Sequence, residues 1–160
     1  METTLATDQR SAYETERGKP MPSTVHAFVQ KNLIVELEIQ FRQRFTILPE
    51  VSIETAGKTA VPDIAIYPRF EIDVRHDVIH RTDFPLATIE ILSPTQNLQE
   101  LIDKTERYFA LGVRSCWVVL PALKAVVLYY EPGKYHFFSE NDTLKDPNSG
   151  IELPLGGIFR

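Results

Sequence analysis

The sequence predicts an α/β fold, a mixed β-sheet with its main helices packed over it. Three observations carry this. Val25, Val29, Leu33, Leu37 and Phe41 recur every four residues, which is the apolar stripe of an amphipathic helix. Short apolar runs follow, "AVPDIAIYP" at 60–68 and "LATIEILSP" at 86–94, with the length and β-branched content of buried strands. A second amphipathic segment then leads to another apolar run, "VRSCWVVL" at 113–120, and strands alternating with helices make a sheet covered by those helices. A chain of 160 residues suits one domain over 1–160, and 43% hydrophobic residues is ordinary for a globular core.

The elements follow in order. Residues 1–12 are polar and read as loose. Pro22 and a cap candidate, Ser23 or Thr24, open a helix expected over about 24–44. "ILPEVSIETA" reads as a short strand with Val51 and Ile53 on one face, and Gly57 lies in the turn after it. Residues 61–67 form the second strand and 86–92 the third. Between them, in "RFEIDVRHDVIHRTDF", Phe70, Ile72 and Val74 alternate with Glu71, Asp73 and Arg75. Part of this segment can be an edge strand, and its length and charge suit a lid or substrate loop as well as a solvated excursion. Pro94 stops the third strand, and Asn97 with Glu100 makes a capping box. Leu101, Thr105, Tyr108 and Phe109 supply a buried helix face, which Gly112 ends. After the strand at 113–120, "AVVLYYEPGKYHFF" is a hairpin with Pro132-Gly133 at the centre of a type II turn. The tail "GIELPLGGIFR" is irregular and apolar, and is expected to pack on the body.

Composition excludes some functions. Lys and Arg total 17 against 22 Asp and Glu, a net charge of −5. That argues against coating nucleic acid by bulk electrostatics but leaves room for a local basic groove. The lone Cys116 cannot make an internal disulfide, which suits a reducing compartment. "METTLATDQR" has no apolar core for a signal peptide, and no apolar run approaches the roughly 20 residues that span a bilayer. A soluble cytoplasmic protein, with no membrane contact, is expected. Cys and His are too few for a structural zinc site, and there is no Gly-rich phosphate loop.

The two apolar runs each carry one acid, Asp63 and Glu90. An ionised acid in an apolar strand is costly unless compensated. Strand side chains alternate, so Thr88, Glu90 and Leu92 share one face while Ile89 and Ile91 share the other. If strands 61–67 and 86–92 are neighbours, the two carboxylates converge, and they repel unless a cation sits between them. Mg²⁺ suits such a pair, because it takes oxygen ligands and keeps several waters for a phosphate substrate. The simpler readings are a turn cap for Asp63 and a buried Arg partner for Glu90. The two acids together, with a Lys on the helix that follows, favour the metal.

These residues resemble the PD-(D/E)XK nuclease superfamily: "PD" opens one strand, and a Glu in the next is followed by a helix. The order helix, three strands, helix, strand resembles its restriction endonuclease-like core, here with the C-terminal hairpin appended. More narrowly, the chain is similar to a large bacterial family of restriction endonuclease-like domains of unknown function. The matching pieces are "YETERG" (13–18), "MPS" with "VH" (21–26), "VPD" (61–63), "IEILSPT" (89–95), "DKTERY" (103–108), "GVRSCWVV" (112–119) and "IELPLGGIF" (151–159). The resemblance implies Mg²⁺-dependent (or Mn²⁺-dependent) hydrolysis of phosphodiester bonds in DNA. Asp63 and Glu90 would bind the metal, joined by the backbone carbonyl of Ile91, while Glu14 and His26 would border the site; Tyr108 reads as a supporting core residue with a tethered hydroxyl. The superfamily's Lys, two residues after the Glu, is Leu92 here. Lys104, three residues after Leu101 and four before Tyr108, shares their side of the helix and can return an ammonium to the carboxylates along its flexible stem. The plainer alternative is a surface Lys104 pairing with Glu100. The competing function is a catalytically degenerate nuclease-fold domain used for binding or assembly.

The hairpin raises a separate expectation. Val126, Leu128 and Tyr130 point one way, and Val127 and Tyr129 the other, with Tyr135, Phe137 and Phe138 on the returning strand. Two apolar faces call for a partner, most simply a second copy in a two-fold homodimer, unless the C-terminal tail covers the second face.

Overall fold

The computed structural model describes residues 21–55 and 57–160, together with Ala12. The expectation of a loose stretch at 1–12 falls almost wholly outside these residues. Helix α1 spans Thr24–Phe41, with Ser23 as its cap: the Ser23 hydroxyl accepts a hydrogen bond from the His26 N–H. Val29, Leu33 and Leu37 are buried, but Val25 is exposed and His26 takes the buried place in the first turn. A strict four-residue repeat drifts around a helix of 3.6 residues per turn, so the first member of the series leaves the core face. The helix stops at Phe41, short of residue 44.

Strand β1 is Phe45–Pro49, and it ends at Glu50, whose backbone is left-handed with φ 54°. That turn divides the single strand expected over 47–56. Its second half becomes β2 (Ile53–Thr55), which pairs with β3 (Lys58–Ala60) as a separate hairpin. Gly57, with φ 78°, sits in the hairpin turn. Strands β4 (Ile64–Pro68) and β5 (Ala87–Ile91) follow. Then come helix α2 (Leu98–Leu111), β6 (Ser115–Leu120), β7 (Ala125–Glu131) and β8 (Lys134–Ser139). The tail is less irregular than its sequence suggests, because β9 (Thr143–Lys145) pairs with β10 (Glu152–Pro154).

The main sheet has six strands in the order β1-β4-β5-β6-β7-β8. Only β5 and β6 are parallel, joined through α2, and every other neighbour is antiparallel. β5 and β6 are buried along their whole length, as central strands covered on both faces must be. Ile64, Ile66, Ile89, Ile91, Trp117, Val119, Val126 and Leu128 pack on α1 and on Leu144, Ile151, Leu153, Leu155 and Ile158 of the tail. Cys116, Val118, Leu120 and Tyr129 meet Leu101 and Tyr108 of α2 on the other face. The tail thus covers the α1 face, as expected of it. No described helix is long and apolar enough to cross a membrane.

The edge strand considered for 70–75 does not form. Ile72 and Val74 are exposed, and among the described residues the segment 69–84 makes a β-bridge to a strand only at Arg81–Ile53, while Phe70 exchanges hydrogen bonds with the Thr46 hydroxyl of β1 and the Asp83 carbonyl accepts from the Tyr67 hydroxyl of β4. Arg81 anchors the segment, with its guanidinium over the rings of Tyr67 and Phe70 and hydrogen bonds to both carboxylate oxygens of Asp83.

Asp146 ties the tail to the sheet. Its buried carboxylate accepts hydrogen bonds from Ser115 Oγ (2.7 Å), Trp117 Nε1 (3.1 Å) and the backbone N–H groups of Asn148 and Ser149. Hydrogen bonds to a charged group contribute about 1.5–3 kcal/mol each, whereas the exposed Arg42–Glu38 pair is worth at most about 1 kcal/mol. Asp146→Asn turns an acceptor into a donor facing these donors. It is expected to lower unfolding stability by about 2–4 kcal/mol, measured by urea denaturation followed through the single Trp117.

Candidate active site

Asp63 lies just before β4, and Glu90 is the fourth residue of β5. Ile64 stands opposite Ile89 in the antiparallel pair, so the next position outward sets 63 against 90. Both side chains are almost fully buried, at 1% and 2% exposure. The adjacency expected of the two acid-bearing strands is therefore the one the fold adopts, and it raises the problem of their charge.

The protein surrounds each carboxylate with donors. Asp63 Oδ2 accepts from the backbone N–H of Ile91 at 2.7 Å and lies 3.1 Å from His26 Nε2. A carboxylate oxygen accepts, so Nε2 is the His26 nitrogen placed to donate to Asp63, and His26 Nδ1 is buried without a hydrogen-bond partner. The Asp63 backbone carbonyl accepts from Gln30 Nε2 (2.8 Å) and from the Glu50 N–H. Glu90 Oε1 accepts from the Tyr108 hydroxyl at 2.8 Å, and Glu90 Oε2 forms an ion pair with Lys104 Nζ at 3.6 Å. Helix α2 brings both partners. Asn97 caps it by accepting from the Glu100 N–H, and Gly112 ends it with φ 105°. Leu101, Thr105 and Tyr108 face the sheet, and Lys104 stands at the rim of that face. Glu100 instead accepts a bond from the Asn97 side chain, so the surface pairing of Lys104 with Glu100 is not what forms. Leu92 is half-buried against the apolar cluster that includes Leu101 and Tyr108, a neighbour with no charge to offer.

The sequence reading therefore named four residues that meet here beside Asp63 or Glu90: those two acids, Lys104 and Tyr108. It also named His26, which joins through Asp63. Glu14 lies outside the described residues. Gln30 and Glu50 were missed. Gln30 sits one helical turn after His26, a spacing that puts both on one side of α1. Its Nε2 bridges the Asp63 carbonyl and Glu50 Oε1 (3.1 Å). Nothing in "LPEVSI" marks Glu50, which looks like any exposed acid before a strand.

Among the described residues, no three His, Cys, Asp or Glu side chains are arranged to hold a metal. Two hard oxygen donors side by side with no thiolate suit magnesium or manganese, which complete their shell with water. The residues present fit such an ion at Asp63 and Glu90.

Together, the sheet covered on both faces and the acid pair between β4 and β5 define a restriction endonuclease-like α/β domain. The chain belongs to the Uma2 family, described as "Putative restriction endonuclease", whose model matches residues 5–155. A crystal structure of a "putative nuclease belonging to DUF820" from Anabaena variabilis ATCC 29413 superposes with a TM-score of 0.74 at 20% identity, over 88% of this chain and 83% of that one. A cryo-EM structure of a DrdV–DNA complex matches at a TM-score of 0.38 and 14% identity, over 83% of this chain and 13% of that one, too slight a likeness to bear on the fold. Among curated proteins, none matches.

Two groups beside the acids contribute to the alkaline behaviour. Burial, reinforced by the charges of Glu90 and Asp63, raises Tyr108 well above its ordinary value near 10. Burial also pushes the Cys116 thiol from 9.0 up to about 12. The unfolded chain then loses these protons at a lower pH than the native one. For Cys116 this stabilisation is complete below about pH 9 and is lost as pH rises toward about 12, and for Tyr108 the loss begins only above about pH 10, each by at most about 1.4 kcal/mol per pH unit. Cys116→Ala is expected to delay the decline until about pH 10, where Tyr108 takes over. Urea midpoints measured across the alkaline range check this, and an unchanged onset contradicts it.

Proposed function

We propose that the protein is a metal-dependent endonuclease that hydrolyses phosphodiester bonds in DNA, with Asp63, Glu90 and Lys104 as its catalytic set. The observation that carries this reading is the ion pair between Lys104 Nζ and the buried Glu90 Oε2. The helix supplies an ammonium beside the acid pair in a chain whose strand offers only Leu92. Membership of a family described as a restriction endonuclease supports the reaction class, and DNA as the substrate follows from that description.

Asp63 and Glu90 would hold Mg²⁺ or Mn²⁺, with the Ile91 carbonyl as a further oxygen. Such an ion, once bound, polarises a phosphoryl oxygen and lowers the pKa of a coordinated water. The remaining work falls to the chain. His26 and the Ile91 N–H fix the rotamer of Asp63. The Tyr108 hydroxyl fixes Glu90 in the same way. Lys104, at 18% side-chain exposure, lies where solvent reaches the buried acids. It orients the attacking water and stabilises the negative charge that develops on the phosphoryl group.

The reading is tested by pairing binding with turnover. Calorimetric titration with Mn²⁺ should show one site in the wild type that Asp63→Asn and Glu90→Gln both abolish. Lys104→Ala should keep the site while cutting DNA about 10²–10⁴-fold more slowly. Wild-type protein that binds no Mn²⁺ and leaves DNA intact would instead make this a degenerate nuclease fold that serves binding or assembly.

A further inference from the structure

The open edge of the main sheet lies far from the acids. β8 is the last strand, and among the described residues no strand pairs with its outer side. Natural edge strands are usually blunted by charge, proline, a bulge or brevity. β8 spans Lys134–Ser139, has no proline, and carries a Lys only at its start. The irregularity in this hairpin falls at Tyr129–Glu131, on β7. Tyr135 and Phe137 stand side by side on one face of β8, opposite Tyr129 and Val127, and are 56% and 55% exposed. The C-terminal tail covers the other face and does not reach them.

We propose that β8 is the contact edge of a two-fold homodimer, in which the β8 strands of two copies pair antiparallel and join their sheets into one. Residues directly opposite in a sheet share a face. Tyr135 and Phe137 of one copy therefore meet those of the other only in registers whose paired residue numbers sum to an even value. Two such registers keep most of β8 paired. One sets Lys134 against Phe138. The other sets Phe137 against Phe137 on the two-fold axis, Tyr135 against Ser139, and Lys134 against Glu140, twice by symmetry. The second register is the self-complementary one, and it is the one we assign. Its charges are at hand. Lys134 pairs with Glu131 at 3.0 Å and Glu140 with Lys124 at 3.7 Å, both on the surface, where ion pairs are weak and exchange readily. A groove of about 610 Å³ beside the strand, lined by His136, Phe138, Lys145 and Glu152 among others, gives room for the second copy's side chains. The dimer does not depend on the nuclease reading.

Sedimentation velocity on the full chain at micromolar concentration tests it. Wild type should sediment as a dimer, and Phe137→Lys, which brings two like charges together on the axis, as a monomer. Lys134→Glu and Glu140→Lys alone should each weaken the dimer by about tenfold or more, and the double charge swap should restore it. Thermal melts identify any variant that fails to fold, and the exposed charge variants carry the test if Phe137→Lys is lost that way. A wild-type monomer overturns the proposal. So does a dimer that neither Phe137→Lys nor the charge reversals disturb, because it would use another surface.

Discussion

Two carboxylates buried side by side are the constraint from which the rest of the site follows. At 1% and 2% exposure, Asp63 and Glu90 have lost nearly all their water, and an uncompensated buried charge costs several kcal/mol. The chain meets that cost with donors from three different elements. His26 comes from α1, the Ile91 N–H from the end of β5, and Tyr108 and Lys104 from α2. The contrast with the exposed pairs is one of magnitude. The exposed Arg42–Glu38 and Lys134–Glu131 pairs change little when broken, whereas removing one partner of a buried charge leaves the other stranded. Helix packing on both faces of the sheet thus has two products, an apolar core and a set of correctly placed donors.

The same arrangement explains how a strand with Leu92 in place of a Lys retains a cation at the site. A side chain two residues after Glu90 shares its face, so Leu92 does point toward α2. There it packs against the apolar cluster to which Leu101 and Tyr108 belong. The ammonium arrives from the opposing layer instead, on a helix position whose neighbours Leu101 and Tyr108 fix its rotation. The function of a charge at this site depends on where its Nζ lies and not on which element carries it, so the helix can serve.

Local signals made much of this legible. Short apolar runs named the strands, "PD" and "IEILSP" named the acids, and the spacing of Leu101, Lys104 and Tyr108 placed Lys104 at the rim of the buried face. The failures are long-range or conformational. The His26–Asp63 pair joins residues far apart in sequence, and so does the bond from Trp117 to Asp146. Neither partner's local sequence marks the other. The break at Glu50 rests on a left-handed backbone at a residue with no special tendency toward it, so the strand read as continuous. In the segment 69–84, an alternating pattern did not become a strand because among the described residues no ladder pairs with it beyond the single Arg81–Ile53 bridge, and a strand needs an edge to pair with as well as a pattern. The β9–β10 hairpin hides behind short runs and two prolines, Pro147 and Pro154.

The central claim is that the acid pair, with its donors already in place, receives a divalent cation beside Lys104. Anomalous diffraction from crystals grown with Mn²⁺ tests it most directly. The account predicts one strong peak bridged by Asp63 and Glu90, with Lys104 Nζ within direct or one-water reach of the ion's coordinated water. A peak elsewhere, or no peak between the two carboxylates at saturating Mn²⁺, would contradict it and leave the donors around Asp63 and Glu90 as the sole compensation for their charge.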